Sequence, residues 1–164
     1  MSLVCWYVNS LVGWLTLQQE ADCLVSLRFG RQEAKEATLI NTPLLQETQK
    51  QLSAYFAGKL RQFHLPLAPK GTAFQQQCWQ VLQTIPYGHT ITYQQQAEAA
   101  GHSGAARAAG MANHRNPLPI IIPCHRVVGA NGKLTGYAGG LFIKEYLLEL
   151  ESKAIGGRMP QEKG

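Results

Sequence analysis

Apolar positions near the N-terminus fall in short β-prone runs rather than helical stripes. Tyr7-Val8 and Trp14-Leu15-Thr16-Leu17 are separated by Asn9-Ser10 and broken by Gly13, and Leu24-Val25-Ser26-Leu27-Arg28-Phe29 alternates in part before Gly30. These runs predict an antiparallel meander with a turn from Gln18 to Asp22. The pattern then changes period. Thr42-Pro43 offers a capping hydroxyl followed by proline at the first helical position; Leu44, Leu45, Leu52, Tyr55 and Phe56 mark one helical face and Gly58 a stop.

Leu65-Pro66-Leu67-Ala68-Pro69-Lys70-Gly71 breaks every period and reads as a linker. Beyond it, Phe74, Cys78, Val81, Leu82 and Ile85 recur at helical spacing until Pro86-Tyr87-Gly88, with glutamines on the opposite face. Thr92 followed by Gln95 is a capping box opening a helix to about Ala100. Gly101-His102-Ser103 then turns the chain, with Ser103 as cap for a second helix to about Asn113. Two short helices joined by a glycine-containing turn predict a helix-turn-helix. Ile120-Ile121-Ile122, framed by prolines, predicts a short buried strand.

The predicted architecture is an α/β N-terminal domain, an antiparallel sheet plus helix, over residues 1–66. A mostly α C-terminal domain containing the helix-turn-helix follows over residues 67–155, with a flexible tail over residues 156–164.

Composition narrows the class. At 164 residues, 45% hydrophobic and 9% aromatic, the chain supports a real core and is not a disordered tail. Its charged fraction of 15% is low, and 15 Lys and Arg against 10 Asp and Glu leave +5, a bias that suits a polyanionic partner. No segment reaches the roughly 20 apolar residues of a membrane span, and no secretory pattern opens the chain. Cys5, Cys23, Cys78 and Cys124 form no CxxC pair. An intracellular, cytoplasmic setting with free thiols is expected, one thiol being available as a nucleophile.

Two stretches carry chemistry. Gly104-Ala105-Ala106-Arg107-Ala108-Ala109-Gly110 is small enough for another surface to approach its backbone closely, whether that surface is protein or a nucleic-acid groove. Arg107, alone among alanines, favours the groove, because an unpartnered charge is not buried cheaply. Pro123-Cys124-His125-Arg126-Val127 places a thiol next to a base where the chain leaves an apolar run. His125 acts on the thiol directly or through a water, and Arg126 lends positive potential or binds a carbonyl.

Pro123-Cys124-His125-Arg126-Val127 resembles the active-site signature of the O6-alkylguanine-DNA alkyltransferases. The resemblance runs from Thr72 to Glu151 through Thr92-Tyr93-Gln94-Gln95, Ala105-Ala106-Arg107, Asn116-Pro117, Thr135-Gly136-Tyr137-Ala138-Gly139-Gly140 and Lys144-Glu145. Leu11-Val12-Gly13-Trp14-Leu15 and Tyr55-Phe56-Ala57-Gly58 match more loosely. It implies a ribonuclease H-like N-terminal domain and irreversible, single-turnover transfer of an alkyl group from guanine O6 to Cys124, and leaves open whether O4-alkylthymine is a substrate too.

The resemblance also implies that the lesioned base is flipped out through the minor groove of double-stranded DNA. By the same resemblance Glu151 orients His125, which relays through a water to Cys124, and Asn116 braces the turn that bears the nucleophile. Arg107 fills the vacated stack, while Tyr93 pushes the phosphate and hydrogen-bonds the flipped base. Gln94, Ala105, Ala106 and Ala130 join them at the DNA, Ala130 through its backbone where some relatives carry serine. Val127, Tyr137, Ala138 and Gly139 form the guanine pocket. Lys144 matches a lysine near the site without an assigned role.

Some relatives hold zinc through two cysteines and two histidines; the histidines are missing here, so no metal and no cofactor are expected. Cys78 reads as core, and His64, His89, His102 and His114 as loop residues, with His114-Arg115 able to meet the DNA backbone. The partner expected is duplex DNA carrying alkylated guanine, bound by a monomer away from membranes, at the nucleoid. A lesion-binding module without transfer chemistry is disfavoured by Cys124. A cysteine hydrolase or redox protein leaves Arg107 and its alanine helix unexplained.

Overall fold

In the computed structural model of the chain, residues 2–33 and 35–156 are described. Contacts divide it into two compact units, Met1–Lys70 and Gly71–Gly164. The expected tail lies, apart from Gly156, outside the described residues.

Among the described residues the first unit is a four-stranded mixed sheet in the order β3-β2-β1-β4 with one helix. Strands β1 (Leu3–Ser10), β2 (Gly13–Glu20) and β3 (Cys23–Phe29) form the antiparallel meander, longer than the apolar runs suggest; the second turn is shortened to Ala21-Asp22. A fourth strand, β4 (Ala37–Leu39), pairs parallel with β1 and has no hydropathy signal of its own. Helix α1 (Pro43–Phe56) begins as its sequence dictates: the Thr42 hydroxyl accepts from Leu45 N at 3.1 Å, and Leu45, Leu52, Tyr55 and Phe56 are buried. Leu15, Leu17, Leu24 and Leu27 of the sheet are buried with them. Leu24 also bonds Pro66 O and Ala68 N, which fixes the proline-rich segment to β3.

Among the described residues the second unit holds four α-helices, α2 (Ala73–Leu82), α3 (Tyr93–Ala99), α4 (Ala106–His114) and α5 (Leu141–Ala154), and a two-stranded parallel pair, β5 (Ile91–Thr92) with β6 (Val127–Val128). Helix α2 ends at Leu82, and Thr84 and Ile85 close it with i→i−3 bonds. Cys78 is fully buried as expected, and so is Trp79 on the adjoining face, whose indole N–H donates to Ala112 O at 2.8 Å.

Helices α3 and α4 are the helix-turn-helix. Inside their junction Gln96 and Asn113 exchange two amide hydrogen bonds of 2.8 Å, and Gln96 also donates to Cys78 O at 3.2 Å. Each such buried bond is worth about 1 kcal/mol net, and stranding one partner costs more. The pair therefore locks the second helix against the first.

Three expectations are corrected. Ser103 does not cap α4: the helix starts three residues later behind Ala105, with no side-chain cap, because Gly104 at φ +84° prolongs the turn. Ile120, Ile121 and Ile122 are buried but are no strand; they lie in turns, and Ile120 sits at φ +75°, a left-handed conformation uncommon for a β-branched residue. His114 is the last residue of α4 rather than a loop residue. Among the described residues no helix is long and apolar enough to cross a membrane, and no cluster of three His, Cys, Asp or Glu side chains could hold a metal.

Candidate functional site: a thiol at the foot of a helix-walled cleft

The chain reaches Cys124 through a braced loop. Asn116 spans that loop, its amide donating to Ile122 O at 2.8 Å while its carbonyl accepts from Leu118 N at 3.0 Å. Pro123, at φ −80° and ψ 71°, then makes an inverse γ-turn with Cys124 N on Ile122 O at 2.8 Å. Cys124–Arg126 forms one 3-10 turn and runs into β6, which pairs parallel with β5, so Tyr93, the first residue of α3, leaves the pair at the end where Gly129 does.

Beneath the turn is a buried ionic cluster. Helix α5 presents Lys144, Leu147, Leu148 and Glu151 inward at i, i+3, i+4 and i+7, so two charged groups flank two leucines on one stripe. Glu151, fully buried, accepts from His125 Nε2 at 2.6 Å, Arg126 Nε at 2.8 Å, Arg126 Nη2 at 3.1 Å and Gly88 N at 3.1 Å. Arg126 also donates to Ile85 O at 2.8 Å, so it both supplies charge and binds a carbonyl. Gly88, at φ +81°, is pressed so closely that a Cβ would stand 2.7 Å from Ile155 Cδ1.

Burial opposes the Glu151 charge, but His125 and Arg126 hold its carboxyl well below the usual carboxylate range. Burial also pushes the His125 imidazole down despite Glu151, leaving the ring neutral at pH 7. Arg126 is therefore the permanent counter-charge. An ionised carboxylate only accepts, so Nε2 carries the imidazole proton and Nδ1 keeps its lone pair. Nδ1 is buried and has no protein hydrogen-bond partner among the described residues.

Above the turn lies a cleft of about 590 Å³ lined by two walls. One is α4, through Ala106, Arg107, Gly110, Met111, Asn113 and His114; the other is Thr135, Gly136, Tyr137 and Ala138, with Tyr93 and Cys124 between them. Both readings of the alanine helix hold on different faces. Ala109 and Ala112 pack against Cys78 and Ala97, while Arg107 is exposed at the cleft. Gly110 leaves ordinary contact distance, 3.7 Å, between a Cβ and the Tyr93 ring.

Cys124 is only 5% exposed, and burial pushes its thiol up to about 11, against the opposing pull of the Asn116 amide and the Lys144 charge. Burial likewise draws Lys144 down to about 8, with Cys124 pulling it back.

Comparison with known proteins identifies the lineage. Residues 3–69 match the ribonuclease-like domain, and residues 73–153 the DNA-binding domain, of 6-O-methylguanine DNA methyltransferase. A Methanosarcina acetivorans methylated-DNA–protein-cysteine methyltransferase is 55% identical over 147 residues, 87% of this chain and 94% of that one. The chain belongs to the O6-methylguanine-DNA methyltransferase family. Within that family, the Mycobacterium tuberculosis O6-methylguanine methyltransferase superposes with a TM-score of 0.86 at 44% identity, over 93% of this chain and 94% of that chain. A M. tuberculosis chain, OGT, solved in complex with DNA superposes at 0.85 and 43% identity over 96% of each.

Of the residues singled out from the sequence, the structure gathers Cys124, Tyr93, Arg107, Ala106, Tyr137 and Ala138 around the cleft, with Asn116, His125 and Glu151 behind it. Val127 is fully buried in β6, Gly139 precedes α5, Ala105 packs on the Cys78 core, and the exposed Gln94 and Ala130 lie outside the lining. Sequence reasoning missed Thr135, Gly110 and Met111 in the walls and the double Arg126 bond to Glu151. The resemblance had paired Glu151 with His125; the i, i+7 spacing of Lys144 and Glu151 on one stripe of α5 is the further signal that could have pointed to the buried cluster.

Proposed function

We propose that this chain removes alkyl groups from guanine O6 in double-stranded DNA by transferring them irreversibly to Cys124, one event per molecule. The observation that carries this reading is the opening of Cys124 onto a cleft whose wall is the Arg107 helix, with the His125–Glu151 pair directly behind it. Displacement at an alkyl carbon needs a soft nucleophile, and the cleft gives a flipped-out base access to one.

In this reading Nδ1 of His125 takes the thiol proton, through one water, as sulfur attacks. The S–C bond forms while the C–O6 bond breaks, and a proton delivered to the leaving guanine restores the neutral base. The thiol proton lost and the base proton gained balance. Tyr93 stands at the cleft to donate that second proton. Glu151 and Arg126 hold the imidazole in the tautomer that leaves Nδ1 free. Asn116 fixes the turn and bonds the thiolate.

Arg107 occupies the space the base leaves, and the small α4 residues let the helix enter the minor groove without reading sequence. The net charge of +5 supplies the phosphate attraction. The protein acts as a monomer in a reducing compartment, where Cys124 stays free. Incubation with duplex DNA containing O6-methylguanine should add one methyl mass to the Cys124 peptide and leave guanine in the DNA. A bound, intact lesion beside unmodified Cys124 refutes transfer and makes the chain a lesion-binding module.

A further inference from the structure

Thr135 joins two groups that the cleft would otherwise hold apart. Its hydroxyl lies 2.6 Å from the Tyr93 hydroxyl, and its carbonyl accepts from Lys144 Nζ at 3.0 Å. Lys144 is 1% exposed, has no carboxylate partner among the described residues, and places its ammonium 5.9 Å from the centre of the Tyr93 ring. The Thr135 side chain has little freedom. Its methyl faces Gly129 so closely that a Cβ there would be 3.2 Å away, so packing holds the methyl while the hydroxyl meets the phenol.

We propose that Thr135 is a positioning residue for alkyl transfer, its hydroxyl aiming the Tyr93 phenol into the cleft and its carbonyl anchoring the Lys144 ammonium beneath the same ring. The inference rests on the reading of Tyr93 as the group that meets the flipped base.

Either hydroxyl can donate in the Thr135–Tyr93 bond. When a cleft ligand offers an acceptor, such as a ring nitrogen of alkylguanine, the threonine donates and the phenol proton is free to point at the ligand. A hydrogen bond received at the phenol oxygen also makes its proton more acidic, and the nearby ammonium stabilises the charge that develops as it leaves. The titratable groups around Tyr93 are Cys124 from the 3-10 turn, Lys144 from α5, Arg107 and His114 from α4, and Tyr137 across the cleft. The Tyr93 hydroxyl bonds Thr135, so Thr135 is the lever.

The test compares the full-length protein with Thr135→Val, which keeps the shape and removes the hydroxyl, and Thr135→Ser, which keeps the hydroxyl. Three quantities are read: the single-turnover transfer rate at saturating O6-methylguanine duplex, the affinity for that duplex, and the Tyr93 titration by NMR of 13C-labelled tyrosine. Thr135→Val should slow transfer about tenfold or more, change affinity less than about twofold, and move the Tyr93 titration upward. Thr135→Ser should recover most of the rate and return the titration toward its native position. A Thr135→Val protein with native rate and unmoved Tyr93 overturns the proposal, as does a Thr135→Ser protein equally slow. If the unaltered chain leaves the lesion intact, the alkyl-transfer reading fails, and the Tyr93 titration alone still decides for or against Thr135.

Discussion

Replacing Glu151 by glutamine tests the buried cluster most directly. Both carboxylate oxygens accept from Arg126, Oε1 from Nε and Oε2 from Nη2, so whichever position becomes the amide NH2 opposes an N–H donor. The guanidinium, 8% exposed in its side chain, would then keep its charge without a counter-ion. Breaking a buried pair from one side costs about 3–5 kcal/mol. Arg126→Gln should cost less. It strands Ile85 O, worth about 1–3 kcal/mol, but leaves Glu151 a second partner in His125, which can take up a proton.

The double variant has neither orphaned charge, so its loss should fall short of the sum by about 2 kcal/mol or more. Urea unfolding of the four proteins measures that coupling. NMR of His125 adds an independent sign: Arg126 depresses the imidazole, so the His125 titration should move upward in Arg126→Gln. Transfer should be lost with Glu151→Gln even where the protein remains folded, because the amide no longer dictates the Nε2–H tautomer. Losses that add within about 0.5 kcal/mol, or a His125 titration that stays put, would refute the cluster as drawn.

Two further outcomes follow from the same geometry. The thiol raised to about 11 leaves on the order of one thiolate in ten thousand molecules at pH 7. Alkylation of Cys124 by iodoacetamide without DNA, followed on its peptide by mass spectrometry, should thus rise about tenfold per pH unit beyond pH 9 and level near 11; a plateau by pH 9 contradicts the burial. Arg107→Ala should slow repair of duplex DNA by about 30-fold, corresponding to roughly 2 kcal/mol of unstacking no longer offset, and spare transfer from a free O6-alkylguanine base. Equal losses on both substrates would remove Arg107 from the stack.

What could be read from the chain is what local chemistry decides. Thr42-Pro43 and Thr92 with Gln95 start helices through bonds spanning three residues, and both starts are found where the sequence puts them. Thr72 with Gln75 carries the same signal and forms the same capping box, so α2 was equally open to that reading. The isoleucine run was misleading for a physical reason. An apolar stretch without periodicity reports burial, not backbone form, and here Asn116 ties its two ends into a turn with Ile120 in a left-handed conformation.

The polar interior was hidden more deeply. Gln96, Arg126, Lys144 and Glu151 are residue types that hydropathy sends outward, and each is buried only because a partner distant in sequence satisfies it. Those partners converge on one turn. Its thiol is held in its proton-bearing form by the same burial that keeps His125 neutral, while His125 and Arg126 keep Glu151 ionised against that burial and Lys144 lies beside Tyr93. A reactive thiol in water would be alkylated by any passing electrophile. In the proposed mechanism, one whose proton leaves through His125 at neutral pH, with Tyr93 and Thr135 across the cleft, is spared until a base occupies that space. For a protein used once, that restraint matters as much as speed.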